Sequence, residues 1–198
     1  MFILGLTGGV ASGKTTASNH FKNKGIEIID ADEISRSLQE QGTQVYEKIL
    51  KKFGQAILNQ DGTIDRKVLR ELAFKTEKNK KWLEDLMHPL IQSEVLKRFE
   101  NVKSFWAVYS APLWNKKHKF NRTLVIDSPS DLQFKRIMKR DGCSEKIARK
   151  IISNQISGNE RSCFATDLII NDGSIEEFQK KLDFYFELYT DLANEQKN

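Results

Sequence analysis

A short glycine-rich segment near the N-terminus constrains the fold of this chain more than any other feature. Residues 8–15 read GGVASGKT, which fits the pattern G-x-x-x-x-G-K-[ST]. The apolar run Phe2 to Leu6 precedes the segment, and the residues from Thr16 to Phe21 can form a helix. Strand, glycine loop and helix is the order that a phosphate-binding P-loop requires. The alternative, a glycine and serine turn before an ordinary helix, is disfavoured because motif and context agree.

The chemistry of such a loop follows from its backbone. Glycines let successive N–H groups curl around phosphate oxygens, and the helix that follows points its positive end at the same anion. Lys14 would reach the β- and γ-phosphates, and the Thr15 hydroxyl would ligate Mg²⁺. The residues predicted to bind the nucleotide here are Gly9, Ala11, Ser12, Gly13, Lys14, Thr15 and Thr16.

Composition limits the remaining classes. The chain has 198 residues, so one large domain, or one domain with an insertion, is expected. No apolar run approaches the ~18 residues of a membrane span, and no signal peptide is evident. Cys143 and Cys163 do not form a disulfide framework, which suits a reducing cytoplasm. The net charge of +5 is spread along the chain without interleaved aromatic residues, so a phosphate-rich substrate is favoured over nucleic acid.

Apolar runs alternate with helical patterns, which predicts a doubly wound α/β fold with a five-stranded parallel sheet and helices on both faces. The predicted strands are Phe2–Thr7, Ile26–Ile29, Ser104–Tyr109, Thr123–Ile126 and Asp167–Ile170. About 70 residues separate the second strand from the third, more than a crossover needs, so this stretch must hold an insertion.

The insertion has a helical pattern. Apolar residues from Val45 to Phe53 share one face, and Gly54 is placed to end that helix. Residues 59–62 have turn chemistry, and a second helix starts near Val68. A third helical stripe is interrupted at His88-Pro89, where proline removes a donor and disfavours helix in the preceding residue, so a break or kink is expected there.

Two further helical stretches follow. Residues 131–156 carry many basic side chains, among them Arg136 and Arg140, which are four apart and share one helix face. These arginines could bind a triphosphate, and a solvated basic face is the alternative. The last helix starts at Ser174 with Glu177 three residues on, which is a capping box.

Acidic residues follow the second predicted strand, in the sequence Asp30-Ala31-Asp32. The carboxyl ends of parallel strands face the ligand crevice, so a carboxylate here could orient an acceptor hydroxyl and take its proton. The alternative is a helix N-cap, a position that favours Asp. The Asn-Lys pairs at 79–80 and 115–116 lack the Asp of a guanine-binding N-K-x-D loop, which disfavours a regulatory GTPase.

Several separated motifs together resemble one family, the dephospho-CoA kinases. The matching segments, which span nearly the whole chain in order, are LTGGVASGKTT at 6–16, DAD at 30–32 with Arg36, DGTIDR at 61–66, HPLI at 88–91, DSP at 127–129, residues 136–141, and residues 155–173 from Gln155 through Glu160 and Arg161 to Asn171. The P-loop alone is generic, whereas its combination with DAD and DGTIDR is specific.

The resemblance implies ATP-dependent phosphorylation of the ribose 3′-hydroxyl of dephospho-CoA, the last step of coenzyme A biosynthesis, with Mg²⁺. It implies catalytic roles for Asp32 as the base and for Lys14, Arg140 and Thr7. It implies acceptor binding by Thr7, Asp32, His88 and Arg161, and places Arg136 and Asn171 near ATP. One departure is the segment 112–116, PLWNK, which has Lys116 where the family usually has Glu.

The resemblance also divides the chain into a core (1–42, 101–130 and 162–198), a helical acceptor-binding insertion (43–100) and a lid (131–161). A cytoplasmic monomer or weak homo-oligomer is expected, with small-molecule substrates and no nucleic-acid or membrane partner. Two alternatives stay open: a nucleoside monophosphate kinase, in which the insertion cradles a nucleotide, and a nucleotide-dependent switch that binds a protein or RNA.

Overall fold

The first strand, β1 (Phe2–Gly8), lies at the centre of a five-stranded parallel sheet. A computed structural model describes residues 1–111, 120–163 and 165–196. The strand order is β2-β3-β1-β4-β5, with β2 (Glu27–Asp30), β3 (Trp106–Ser110), β4 (Arg122–Asp127) and β5 (Asp167–Ile170). Leu4 is paired with Val108 in β3, and Leu6 with Leu124 in β4. These side chains are fully buried, which explains why the central strands have apolar sequences.

Helices connect the strands and build the insertion. They are α1 (Lys14–Asn23), α2 (Ala31–Leu38), α3 (Gln44–Phe53), α4 (Arg66–Phe74), α5 (Glu77–Glu100), α6 (Ser130–Asp141), α7 (Glu145–Ser153), α8 (Gly158–Ser162) and α9 (Ile175–Glu195), with a 3₁₀ turn at Gln55–Ile57. The predicted fold class is therefore confirmed, and each predicted strand lies within two residues of an observed one. None of the described helices is both long and apolar enough to cross a bilayer.

The chain divides into two compact units, residues 1–29 with 102–198 and residues 30–101. The core of the first unit is built around Trp106, which is fully buried. Its ring lies edge-on to Phe21 and Tyr189, at 5.6 and 5.8 Å between centroids, and its Nε1 donates to Thr190 Oγ1 at 3.1 Å. This aromatic cluster joins β3 to α1 and α9.

The second unit has its own apolar core, formed by residues of α3, α4, α5 and the 3₁₀ turn, including Ile49, Ile57, Leu69 and Met87. The DGTIDR segment shapes the connection into α4. Asp61 Oδ1 accepts hydrogen bonds from Thr63 N and Oγ1, and Asp65 caps α4 by accepting from Lys67 N and Val68 N. This motif therefore builds a turn and a helix start. The second unit begins at Asp30, earlier than the residue 43 expected for the insertion.

A break or kink was expected at Pro89, and the break does not occur, since α5 runs continuously from Glu77 to Glu100. An internal proline costs a helix roughly 3 kcal/mol through its missing donor and its ring. Met87 before the proline and Ile91 after it pack on the same apolar core, and α5 contacts both α2 and α4. Tertiary packing on both sides of Pro89 offsets the local cost.

The basic stretch predicted over 131–156 comprises two helices, α6 and α7. Gly142 ends α6 in a left-handed conformation with φ +59°, and its N–H donates to Met138 O. The capping box of α9 is present as predicted: Ser174 Oγ accepts from Glu177 N, and the Glu177 carboxylate accepts from Ser174 N.

A buried carboxylate joins β4, β5 and α9. Asp167, at the start of β5, accepts from Arg122 Nε at 2.9 Å and Nη2 at 2.5 Å, and from the Tyr189 hydroxyl at 3.0 Å. Tyr189 is fully buried, and this burial is the main cause that raises the pKa of its hydroxyl. The nearby Asp167 charge raises the pKa further, so the phenol remains a hydrogen-bond donor. The hydrogen bond to Asp167 in turn raises the pKa of Arg122.

We expect Asp167→Asn to lower the free energy of unfolding by about 2–3 kcal/mol, because the buried Tyr189 hydroxyl and the half-buried Arg122 guanidinium lose a charged acceptor. Asp191→Asn, which changes an exposed carboxylate of α9, is the matched control and should cost under ~0.5 kcal/mol. Urea unfolding at neutral pH measures both. Equal midpoints for the two variants would contradict a stabilising role for Asp167.

Candidate active site

The P-loop, residues 8–15, joins β1 to α1 through two left-handed residues. Gly13 is the N-cap of α1 with φ +109°, and Ala11 has φ +54° although it carries a side chain. Ser12 N donates to Gly9 O at 3.2 Å, which closes the turn. This conformation directs the loop toward the start of α1, where backbone N–H groups have no intrahelical acceptor. It is the arrangement of an anion-binding helix N-terminus.

Carbonyl groups of the loop are held by two side chains that come from later elements. Asn171, directly after β5, donates from Nδ2 to Ser12 O at 2.8 Å, and Arg136 of α6 donates to Ala11 O at 3.3 Å. Arg136 also donates to Ser128 Oγ at 3.0 Å, and Ser128 donates to Asn171 O at 2.7 Å. The two residues predicted to bind ATP therefore lie at the P-loop, where their contacts hold its backbone.

The remaining P-loop residues lie around the start of α1. Lys14 Nζ donates to Ser110 Oγ at 2.8 Å, and Ser110 is the buried last residue of β3. Thr15 is exposed in the first turn of α1 and Thr16 is half-buried. Thr7 is buried near the end of β1. Ser110 was not predicted, although a polar residue ending an apolar strand was a signal for it.

Asp127 forms a second polar cluster at the carboxyl end of β4. Its Oδ1 lies 3.5 Å from Arg161 Nη1 and 3.4 Å from Gln133 Nε2. Gln133 also donates to Ser128 O at 2.9 Å. A Cβ on Gly158 would lie 2.5 Å from Asp127 Oδ2, so glycine lets α8 approach this carboxylate. Asp127 and Gln133 were not among the predicted site residues, and Arg161 was.

Arg140 lies apart from these contacts. Its guanidinium forms two hydrogen bonds to Asp141, at 2.7 and 2.9 Å, and its side chain is 59% exposed. This hydrogen bonding raises the pKa of Arg140 and lowers the pKa of Asp141. Of these two arginines four residues apart, Arg136 contacts the P-loop backbone and Arg140 contacts Asp141.

In the second unit, the DAD segment starts α2. Asp30 is the N-cap and accepts from Asp32 N at 2.8 Å and from Glu33 N at 3.1 Å. The capping alternative therefore applies to Asp30, while the Asp32 side chain is exposed in the first turn. Arg36 Nε donates to Asp32 O at 3.1 Å.

His88 is exposed within α5. The segment 112–116, with its unusual Lys116, lies outside the described residues.

A P-loop at the start of α1, next to a basic α6 on a five-stranded parallel sheet, defines a P-loop phosphotransferase. Residues 2–177 match the family model for dephospho-CoA kinase. The chain is 38% identical to the dephospho-CoA kinase of Buchnera aphidicola subsp. Schizaphis graminum over 204 residues, covering all of this chain and 97% of that one. The chain belongs to the dephospho-CoA kinase family.

Solved structures agree with this assignment. The dephospho-CoA kinase from Campylobacter jejuni superimposes with a TM-score of 0.68 at 28% identity, covering 96% of this chain and 97% of that one. TT1252 from Thermus thermophilus shares the fold with a TM-score of 0.81 at 24% identity, covering 94% and 96%. The sequence-based expectation of an ATP-dependent kinase that phosphorylates dephospho-CoA in coenzyme A biosynthesis is confirmed.

We expect Gly13→Ala to be much more disruptive than Gly25→Ala. Both glycines have positive φ, so each substitution costs about 1–2 kcal/mol in the backbone. A Cβ at Gly13 would in addition lie 2.6 Å from Asn171 Nδ2 and 3.0 Å from Phe178 Cε1, whereas nothing lies within 4 Å of one at Gly25. This crowding adds about 1–3 kcal/mol.

Thermal denaturation and ATP titration of the two variants measure the difference. Gly25→Ala should keep wild-type ATP affinity, and Gly13→Ala should lose most of it because Asn171 can no longer hold Ser12 O. Equal ATP affinity for both variants would contradict the role assigned to the Asn171 contact.

Proposed function

We propose that this chain transfers the γ-phosphoryl group of ATP to the ribose 3′-hydroxyl of dephospho-CoA, with the P-loop binding ATP and Asp32 acting on the acceptor. The family match over residues 2–177 carries this proposal. Phosphoryl transfer depends chiefly on positioning and on neutralising the charge that spreads over the transferred group. Each residue of the site is therefore assigned a role in positioning a substrate, in neutralising charge or in proton transfer.

The donor side of the reaction uses the P-loop. Backbone N–H groups of the P-loop and the positive end of α1 bind the phosphates, and Lys14 reaches the β- and γ-phosphates. The Lys14 contact with Ser110 supports this, because it fixes an otherwise flexible ammonium group beside the loop. Arg140 contributes charge to the phosphates by exchanging its exposed pair with Asp141.

Mg²⁺ fits the oxygen donors of this site. The exposed Thr15 hydroxyl would hold the ion together with phosphate oxygens, which is how Mg²⁺ usually binds in kinases. Within residues 1–111, 120–163 and 165–196 there is no cluster of three His, Cys, Asp or Glu side chains suited to a metal. When bound, the ion neutralises charge on the transferred phosphoryl group.

The acceptor side uses the carboxylate of Asp32, with Thr7, His88 and Arg161 as further acceptor-binding residues. As the bond from the γ-phosphorus to the bridging oxygen of ADP breaks, a bond to the 3′-oxygen forms, and the hydroxyl proton passes to Asp32. Two features support Asp32 over Asp30: its side chain is exposed, and Asp30 is used as the helix cap.

Asp32→Asn is expected to lower kcat by ~10²–10⁴ with little change in ATP affinity, because the variant loses the proton acceptor and keeps the P-loop. Glu33→Gln, the neighbouring carboxylate, which contacts Arg98 at 3.4 Å, is the matched control and should stay within ~3-fold of wild type. Steady-state kinetics and ATP titration separate the two effects. Wild-type kcat in Asp32→Asn would exclude Asp32 as the base.

ADP release measured with different acceptors tests the substrate itself. Dephospho-CoA should support rapid, Mg²⁺-dependent ADP formation, while AMP, CMP, UMP and dTMP should give no more than the background hydrolysis of ATP. Turnover with a nucleoside monophosphate alone would instead identify a nucleotide kinase.

A cytoplasmic location and a monomeric or weakly associated state remain predictions from the sequence.

A further inference from the structure

The guanidinium group of Arg161 is buried at the P-loop with one nitrogen unsatisfied. Its side chain is 6% exposed, and its Nη2 donates to Ile156 O at 2.6 Å. Nη1 has no hydrogen-bond partner among the described residues and no contact with solvent. Among residues 1–111, 120–163 and 165–196, the carboxylate that pairs with it is that of Asp127, whose Oδ1 lies 3.5 Å away. Leaving a buried charged donor without a hydrogen bond destabilises a protein more than leaving a neutral donor unsatisfied.

The unsatisfied nitrogen lies against the backbone of the second P-loop residue. A Cβ on Gly9 would overlap Arg161 Nη1, and it would lie 3.1 Å from Gln133 Nε2. Gly9 thus lets two side-chain donors approach the loop from the side of α6 and α8. Of the two, Arg161 Nη1, which has no hydrogen-bond partner among the described residues, would be available to a phosphate oxygen placed beside Gly9.

The segment that carries Arg161 has a second attachment to the same loop. Gln155 Oε1 accepts a hydrogen bond from Val10 N at 2.9 Å. Gln155 and Arg161 therefore contact consecutive P-loop residues, Val10 and Gly9, from one short segment. This double contact fixes the position of the guanidinium group relative to the loop.

We propose that Arg161 is the catalytic arginine that contacts the terminal phosphoryl group of the nucleoside triphosphate during transfer. This inference rests on the proposed function and changes the expected role of Arg161 from acceptor binding to phosphoryl binding. The Nη1 donor pairs with an equatorial oxygen of the transferred group, where negative charge must be neutralised. Asp127 and Ile156 O hold the guanidinium plane while Nη1 serves the phosphoryl group.

The geometry favours Arg161 over Arg140 as the arginine that contacts the transferred group. Arg140 is more than half exposed and bound to Asp141, so a phosphate must first displace a solvated pair. Arg161 is buried, and its Nη1, which lacks a hydrogen-bond partner among the described residues, already faces the P-loop at Gly9. A charge in a water-excluded site stabilises a transition state far more than an exposed one.

Arg161→Gln tests the proposal through the difference between ATP and ADP binding, measured calorimetrically with Mg²⁺ and without acceptor. We expect ATP affinity to fall at least ~10-fold more than ADP affinity, and kcat with dephospho-CoA to fall ~10²–10³. Arg149→Gln, an exposed arginine of α7 paired with Glu145, is the matched control and should leave both affinities and kcat within ~3-fold. Arg140→Gln should reduce the preference for ATP less than Arg161→Gln.

Arg161→Lys separates phosphoryl binding from simple balancing of the Asp127 charge. Lysine keeps the positive charge but lacks the planar fork, so kcat should remain at least ~10-fold below wild type. Full activity in Arg161→Lys, equal losses of ATP and ADP affinity in Arg161→Gln, or a larger loss of ATP preference in Arg140→Gln would each overturn the proposal. Thermal denaturation confirms that each variant is folded.

Because the binding measurements contain no acceptor, they are independent of its identity. A selective loss of ATP affinity in Arg161→Gln, together with no phosphorylation of dephospho-CoA by the wild-type protein, would support the role of Arg161 and refute the proposed acceptor. The reverse result would refute only the role of Arg161.

Discussion

The active-site loop depends on the hydrogen bonds that hold its carbonyl groups. A loop that turns its N–H groups toward an anion must direct some of its C=O groups the other way, and a buried carbonyl needs a donor. Asn171 satisfies Ser12 O and Arg136 reaches Ala11 O. Both residues are also hydrogen-bonded to Ser128, directly after β4. Arg136 donates to the Ser128 hydroxyl, and that hydroxyl donates to the Asn171 carbonyl. The loop conformation is therefore set by residues more than a hundred positions away.

The fold could be predicted from the sequence because local signals and burial agree along most of the chain. The apolar sequence of β1 predicts a strand buried on both faces, and most of its side chains are indeed buried. The capping box at Ser174 predicts the start of α9 to the residue. The break expected at Pro89 was wrong because the cost of proline to a helix is local, and the sequence shows it. The packing of Met87 and Ile91 that offsets this cost depends on α2 and α4 being in place.

The site was predicted less completely, and the reason is physical. Motif and family resemblance identify Arg136 and Asn171 as residues near ATP, but not the contacts they make, since a side chain's partners depend on the tertiary fold. Asp127 lies in the DSP segment at 127–129, but that segment does not indicate its contact with Arg161, and Gln133 has no local pattern that distinguishes it from ordinary polar residues. A spacing of four gives Arg136 and Arg140 the same helix face, yet one turn of helix is enough to move Arg140 from the loop to the solvent.

Charge pairing explains how arginines can surround a phosphate site in a stable protein. Each of these guanidinium groups already faces a carboxylate or a carbonyl group of the protein. Arg140 is paired with Asp141 at an exposed position, and exposed ion pairs contribute only ~0–1 kcal/mol to stability. Replacing Asp141 by a phosphate oxygen as the partner of Arg140 therefore changes the free energy little. For Arg161 the pair with Asp127 lies at 3.5 Å and leaves Nη1 without a hydrogen bond. A phosphoryl oxygen there adds a hydrogen bond without breaking one, which is why the buried arginine has the larger effect on the transferred group.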